Sequence, residues 1–472
     1  MNLDKMDALI ASYQDEMLHM LKGWIAINSV QAEPTAQNAP FGDAVRQMLD
    51  LFLKDAAHLG FCVDDVDGFA GAAEMGKGEK TLGILAHLDI VPAGDGWKHE
   101  PFNATIEDGV FYGRGVQDDK GPALSALFAM RAVREAGIPL KDAVRLIVGC
   151  DEETGMTDMR HYHEVRKLPD YGFSPDAEYP LINIEKGGLG LMLSKASAGE
   201  NDARIPVYSL FAGLRSNIVP GAATAEVGTA QVPFAELAAQ VARICAAHDR
   251  FDVCVSDLGN GRAKLTATGK QSHAALPEAG LNAAGMLLIV LAELDAGGGS
   301  NEAIRGLAQL LGIAYDGSGL GIAQKDDLSG ALTCNLGLLR YDGALLTARL
   351  DIRYPICADE SSLCGCAVMA ASAWHIAVER MGGHTPLHVP ADHPVVKGLL
   401  EVYHEQTGLP AYAMAIGGGT YSRTMPNTVA FGTSFPDDVD CCHMPDEHVT
   451  IEKFMLSTRI MAHAIVRLAQ VQ

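Results

Sequence analysis

The stretch from Thr81 to Gly188 constrains the fold most, because apolar runs of two kinds alternate along it. "TLGILAHLDIVPA" and "AVRLIVGCDEE" read as buried strands, and "GPALSALFAMRAVREAG" between them reads as a helix. Gly121-Pro122 suits the first turn of that helix and Gly137 suits its exit. A strand, a helix and a second strand in this order imply an α/β layout around a largely buried sheet, with function at the carboxyl ends of the strands. The pattern returns at "PVVKGLLEVYHEQTG" and runs on through "AYAMAIGGGTYSRTMPNTVAFGT", whose small residues permit close approach of a ligand. Between them lie short strand-like runs, the glycine-rich "LDAGGGSN" and a helical run from Leu363 to Met381 closed by Gly382-Gly383. The expected organisation is one domain over residues 1–188 and 388–472, interrupted by an inserted domain over 189–387.

A chain of 472 residues exceeds what one core usually serves, and a hydrophobic content of 48% is enough to build two. Leu9, Ile10, Tyr13, Met17, Leu21, Trp24 and Ile25 recur at helical spacing and predict one amphipathic helix. Residues 1–27 carry Asp4, Asp7, Asp15 and Glu16 and lack the apolar core of a secretory signal, and no run of 18 apolar residues occurs anywhere. The formal charge of -23 disfavours nucleic acid and anionic membrane as partners, and a cytoplasmic protein is expected. The ten cysteines lack paired CxxC spacing and are expected to be reduced and mostly buried.

Ionisable residues gather where the strands end. His87 and Asp89, two apart on an extended chain, share a side, so the acid can orient the imidazole for a metal. Asp118 and Asp119 repel one another unless a cation or a helix start compensates them. Asp151, Glu152 and Glu153 follow a buried strand, where three dry carboxylates require positive charge or a helix N-terminus. Asp176 and His443 complete a mixed nitrogen and oxygen set suited to two borderline divalent cations. Each piece alone also fits a plain structural role: a core histidine, a capped helix, a solvated acid.

Taken together, "AHLDIVPAGDGW", "GRGVQDDKGP", "DEETG", "FSPDAEYPLINIEKG", "GKQSHAALPEAGLNAA", "LDIRYP", "GGGTYSRTMPNTVAFG" and "HMPDEH" resemble, in order and over nearly the whole chain, the M20-type metallopeptidases. Within these they resemble the bacterial Xaa-His and β-Ala-Xaa dipeptidases. The resemblance implies an α/β catalytic domain with a mixed central sheet flanked by helices, plus a large inserted α+β lid domain. It implies that Asp119 bridges two metals, that His87 and Asp176 complete one site, and that Glu153 and His443 complete the other. Glu152 is then the general base and Asp89 the partner that orients His87. Zn²⁺ fits best, with Mn²⁺ or Co²⁺ as alternatives, and a cis bond is implied between Asp119 and Lys120.

Two such cations about 3.5–4 Å apart lower the pKa of a shared water and polarise the scissile carbonyl. In the insert, the resemblance makes His273 a hydrogen-bond donor to the oxyanion. It makes Arg353 the grip on the substrate's terminal carboxylate, assisted by Asn217, with Gly418 and Gly419 of the GGGT loop lining the pocket. Without the resemblance, His273 reads as a surface histidine and Arg353 as the partner of Asp351. In "TARLDIRYP", Leu350 and Ile352 fall on one strand face and Arg349, Asp351 and Arg353 on the other. The reaction implied is hydrolysis of small unblocked dipeptides by a monomer that covers its own site with the insert. Two readings compete: an M20-type amidohydrolase acting on N-acyl amino acids, and a catalytically silent metal- or peptide-binding protein. The second of these has no need of Glu152.

Overall fold

The computed structural model describes residues 2–197, 203–297, 301–439 and 441–470. The chain divides into two compact units: Met1–Ile184, His388–Met414 and Gly419–Gln472 form the first, and Glu185–Leu387 with Ala415–Gly418 the second.

The first unit is built on a mixed sheet whose central strands run in the order Cys62–Val66, Ala70–Met75, Ala143–Gly149, Thr81–His87, Tyr171–Ser174, Thr428–Ala430. Thr81–His87 pairs in parallel with both of its neighbours, the arrangement a crossing helix makes possible. That helix spans Lys120–Ala136, with Pro122 in its first turn. It ends on Gly137 in the left-handed conformation, φ +72°, as the sequence predicted. It is buried along most of its length, as a helix laid on a buried sheet must be.

The N-terminal amphipathic stretch forms two helices, Leu3–Ser12 and Gln14–Ile25, that meet at Tyr13. Met17, Leu21, Trp24 and Ile25 are buried all the same, because the apolar stripe continues across the break.

The second unit is α+β. Eight of its strands form an antiparallel sheet in the order Val253–Gly259, Arg262–Thr268, Ala222–Gly228, Val207–Ala212, Thr333–Tyr341, Leu345–Tyr354, Gly187–Ala196, Ala377–His384. Leu345–Tyr354 alternates as expected, with Leu350 and Ile352 fully buried and Arg349, Asp351 and Arg353 on the other face. The helical run expected from Leu363 to Met381 is corrected. The helix covers Glu360–Ser372, and after a left-handed His375 the chain becomes an edge strand paired with Gly187–Ala196. Gly382 and Gly383 therefore lie within a strand rather than closing a helix. Residues 298–300 of the glycine-rich stretch lie outside the described residues.

No helix among the described residues is long and apolar enough to cross a membrane. No disulfide joins the described cysteines, but Cys62, Cys254 and Cys357 are exposed, which corrects the expectation that the thiols are mostly buried.

Candidate metal centre

His87 ends its strand at the carboxyl edge of the sheet, level with Gly149 on the neighbouring strand, so the loops after both strands open on one side. The imidazole is fully buried. Its Nδ1 lies 2.9 Å from the Asp89 carbonyl oxygen and 3.5 Å from Asp89 Oδ1, which turns Nε2 toward the acids. Asp89 does a second job: its two carboxylate oxygens accept the backbone N–H groups of Glu152 and Glu153 at 3.2 and 3.1 Å. One buried acid thus orients a histidine and the loop that carries two glutamates.

The three acids after Ala143–Gly149 divide their work. Asp151 caps the helix Thr157–Val165, accepting the Thr157 N–H at 2.8 Å. Glu152 and Glu153 instead line a cavity of about 460 Å³ together with Asp118, Asp176, Gly419, Thr420 and His443.

The carboxylate that spans the two imidazoles is that of Asp118, not that of Asp119, to which the resemblance gave the bridge. Asp118 Oδ1 lies 2.8 Å from His87 Nε2 and its Oδ2 lies 2.9 Å from His443 Nε2, so one carboxylate spans both imidazoles. Asp119 is buried behind it, with Oδ2 accepting the backbone N–H of His87 at 3.0 Å and Oδ1 meeting no partner among the described residues. The loop's backbone decides which neighbour faces the cavity, and two adjacent Asp residues look alike in sequence. The cis bond is Asp118–Asp119, not Asp119–Lys120.

Glu153 Oε1 sits 3.2 Å from His443 Nε2, and Asp176 Oδ2 lies 3.7 Å from His87 Nε2. Two sets of donor atoms lie within 4.8 Å of one another: His87 with Glu152 and Asp176, and His87 with Asp118 and Glu153.

The electrostatics follow from crowding acids around two imidazoles. Burial, then repulsion from neighbouring carboxylates outweighing the pull of His87, holds Glu152 and Asp176 well above the ordinary carboxyl range. Burial also raises Asp118, but the bonds from His443 and His87 prevail and hold it below that range. Burial lowers His443, yet its bonds to Asp118 and Glu153 prevail and take it up to about 10. Four carboxylates this close ionise together only if cations lie among them, and divalent cations would take the place of the protons that the acids and imidazoles hold here. Nitrogen and oxygen donors in this mixture suit borderline ions such as Zn²⁺ or Mn²⁺. The residues present therefore fit a metal centre.

In the second unit, residues 217–219 and 272–274 run side by side, joined by the Ala274 N–H to the Asn217 carbonyl and the Val219 N–H to the Ser272 carbonyl, each 2.9 Å. This places Asn217 and His273 on adjoining segments. Nδ2 of the buried Asn335 fastens the first of them by donating to the Ser216 and Ile218 carbonyls at 2.9 and 3.0 Å. Arg353 does pair with Asp351, through Nε at 2.7 Å and Nη2 at 3.0 Å, while its Nη1 donates to the Gly417 carbonyl at 3.3 Å. Gly418 belongs to this unit and Gly419 to the first. At Gly419 a Cβ would fall on the Arg423 guanidinium, which packs against the bare backbone there and would have to move aside for any larger residue.

Sequence reasoning named Asp118 but gave its place to Asp119, and it missed the second role of Asp89 and the part played by the buried Glu447. The adjacent acids in "QDDK" and "PDEH" were the available signal, but spacing does not say which oxygen turns inward.

Residues 83–467 match the peptidase family M20/M25/M40. The chain is 35% identical over 460 residues to YtjP of Bacillus subtilis (strain 168), a protein provisionally named a dipeptidase, covering 97% of this chain and 98% of that one. It is 32% identical over 466 residues to the β-Ala-Xaa dipeptidase of Lactobacillus delbrueckii subsp. lactis, covering 98% of each. The solved structure of the dipeptidase Dug1p from Saccharomyces cerevisiae shares the fold, with TM-score 0.58 and 14% identity over 99% of this chain and 98% of that one. The chain belongs to the M20/M25/M40 family of peptidases, enzymes that hydrolyse peptide bonds.

Proposed function

We propose that this peptidase is a dinuclear metal-dependent dipeptidase that cleaves unblocked dipeptides, works as a monomer and resides in the cytoplasm. The observation that carries the reading is the Asp118 carboxylate spanning His87 and His443, with Glu153 and Asp176 beside it and Glu152 in the same cavity. His87 and Asp176 would hold one cation, Glu153 and His443 the other, and Asp118 both. Cations held there lower the pKa of water towards neutrality and polarise a carbonyl.

The chain's own groups supply the rest. Asp89 fixes the tautomer and direction of His87. Glu152 takes a proton from the attacking water and delivers it to the leaving amine. His273 donates to the developing oxyanion. Arg353, with Asn217, grips the terminal carboxylate; Asp351 presets the guanidinium by holding two of its nitrogens. Gly418 and Gly419 line the pocket with backbone. A clamp on the carboxylate makes the site a ruler for two-residue substrates. The resemblance to a β-Ala-Xaa dipeptidase supports β-alanyl and Xaa-His dipeptides as the first to try.

The test is amine release from β-Ala-His and ordinary dipeptides beside N-acetyl amino acids, after chelation and again after adding Zn²⁺ or Mn²⁺. Metal-restored cleavage confined to free dipeptides is expected. Cleavage of only the acylated set would transfer the protein to the amidohydrolases.

A further inference from the structure

The turn that carries His443 continues into Glu447, whose side chain points away from the cavity into the protein. Glu447 precedes the short strand His448–Thr450, which pairs with Val110–Tyr112 in the register His448 opposite Tyr112. This pairing sets Glu447 against the loop that runs from Gly113 to Asp118. Its Oε1 accepts three backbone N–H groups, from Gly115 at 3.0 Å, Gln117 at 2.9 Å and Asp118 at 3.2 Å. Its Oε2 takes Nη1 of Arg114 at 2.5 Å. Neither side chain is more than 1% exposed.

Arg114 extends the connection to a third loop. Nη2 reaches the Ala93 carbonyl at 3.4 Å, and the guanidinium lies over the ring of Trp97, 5.2 Å from its centre. Trp97 in turn donates to that same Ala93 carbonyl at 2.8 Å. The residue before Glu447, Asp446, accepts the Lys98 and His99 N–H groups at 3.0 Å each. The loops after His87, before Asp119 and around His443 therefore converge on one buried ion pair, which meets Asp118 through that residue's backbone N–H.

A buried ion pair is poor evidence of stability, since its desolvation offsets its attraction. What this one supplies is position, because a single carboxylate fixes the backbone on which Asp118 sits and belongs to the turn that presents His443. We infer that Arg114 and Glu447 are positioning residues that set Asp118 and His443 in ligand geometry before any ion binds. The inference rests on the metal-centre reading above.

Co²⁺ titration tests it, because visible absorption reports ligand geometry as well as affinity. The full chain is compared with Glu447→Gln and with the double variant Arg114→Met/Glu447→Gln. The double variant leaves no unpaired buried charge, and its amide oxygen can still accept the three backbone N–H groups, so it keeps the fold if the single one does not. The expected result is Co²⁺ binding weakened about 10–100-fold, with an altered spectrum at saturation in a variant whose circular dichroism matches the parent. A folded double variant with parental affinity and spectrum would overturn the role of the pair. A parent chain that takes up no Co²⁺ would instead remove the metal-centre reading itself.

Discussion

Asp118 and Asp119 are neighbours with the same side chain and different fates. Asp118 spans two imidazoles, while Asp119 serves the backbone of His87 from behind. Asp118→Asn therefore abolishes binding of both ions, measured as metal per chain by elemental analysis, whereas Asp119→Asn retains them; the opposite pattern would restore Asp119 to the bridge. Glu152→Gln lowers kcat about 10²–10⁴-fold in a steady-state dipeptide assay and leaves metal content unchanged, because the amide still fills the space but accepts no proton. Most of this set was legible from the sequence, since His87, Glu152, Glu153, Asp176 and His443 stand at strand ends and loops where an α/β sheet concentrates chemistry. Asp118 and Glu447 were not, because the direction of a side chain in a tight loop is decided by backbone geometry and by partners remote in sequence. Arg353 shows that two readings can hold together: its pairing with Asp351 directs the free end of the guanidinium.

Among the elements, the helix Lys120–Ala136 was read almost to the residue, because Pro122 and Gly137 mark its ends and every turn is apolar. Its first residue anchors it: Lys120, wholly buried, donates to the Trp24 and Ile27 carbonyls at 3.1 and 2.7 Å. Burial lowers that ammonium to about 7, against the attraction of Glu447 and Asp89. An unfolded lysine titrates near ~10.4, so between these values the folded chain binds fewer protons than the unfolded one. Lys120 thus adds stability that is present above about 10.4 and lost as pH falls towards about 7. Lys120→Met flattens the unfolding free energy across this window in urea melts at several pH values; an unchanged slope would contradict the assignment. Midway along the helix the fully buried Phe128 meets the ring of Tyr13 at 5.6 Å. Phe128→Ala costs about 3–5 kcal/mol of stability in the same urea melts. The segment after Ser372 misled sequence reading, since helix-like spacing continues through it while pairing with Gly187–Ala196 draws it into the sheet. Long-range pairing of this kind is invisible to local periodicity.

At the scale of the whole molecule, the alternation of strands and helices around Thr81–His87 pointed to an α/β first unit, and the change to short strand-like runs after it pointed to a second, whose antiparallel sheet is a finding of the structure. The exchange of Ala415–Gly418 into the second unit had no local signature. Because the proposed metal centre would draw its ligands from five separate segments of the first unit, bound ions would tie the fold together. Zn²⁺ at 100 times its Kd adds about 2.7 kcal/mol of stability, seen as a rise in Tm that a chelator reverses and that Asp118→Asn lacks. The most direct test of the account is to strip the protein of metal, return Zn²⁺ in measured equivalents and follow hydrolysis of a free dipeptide. The account predicts no cleavage without metal and a rate that reaches its plateau at two equivalents per chain. Cleavage that survives chelation, or a plateau at one equivalent, would contradict a centre in which Asp118 joins two ions.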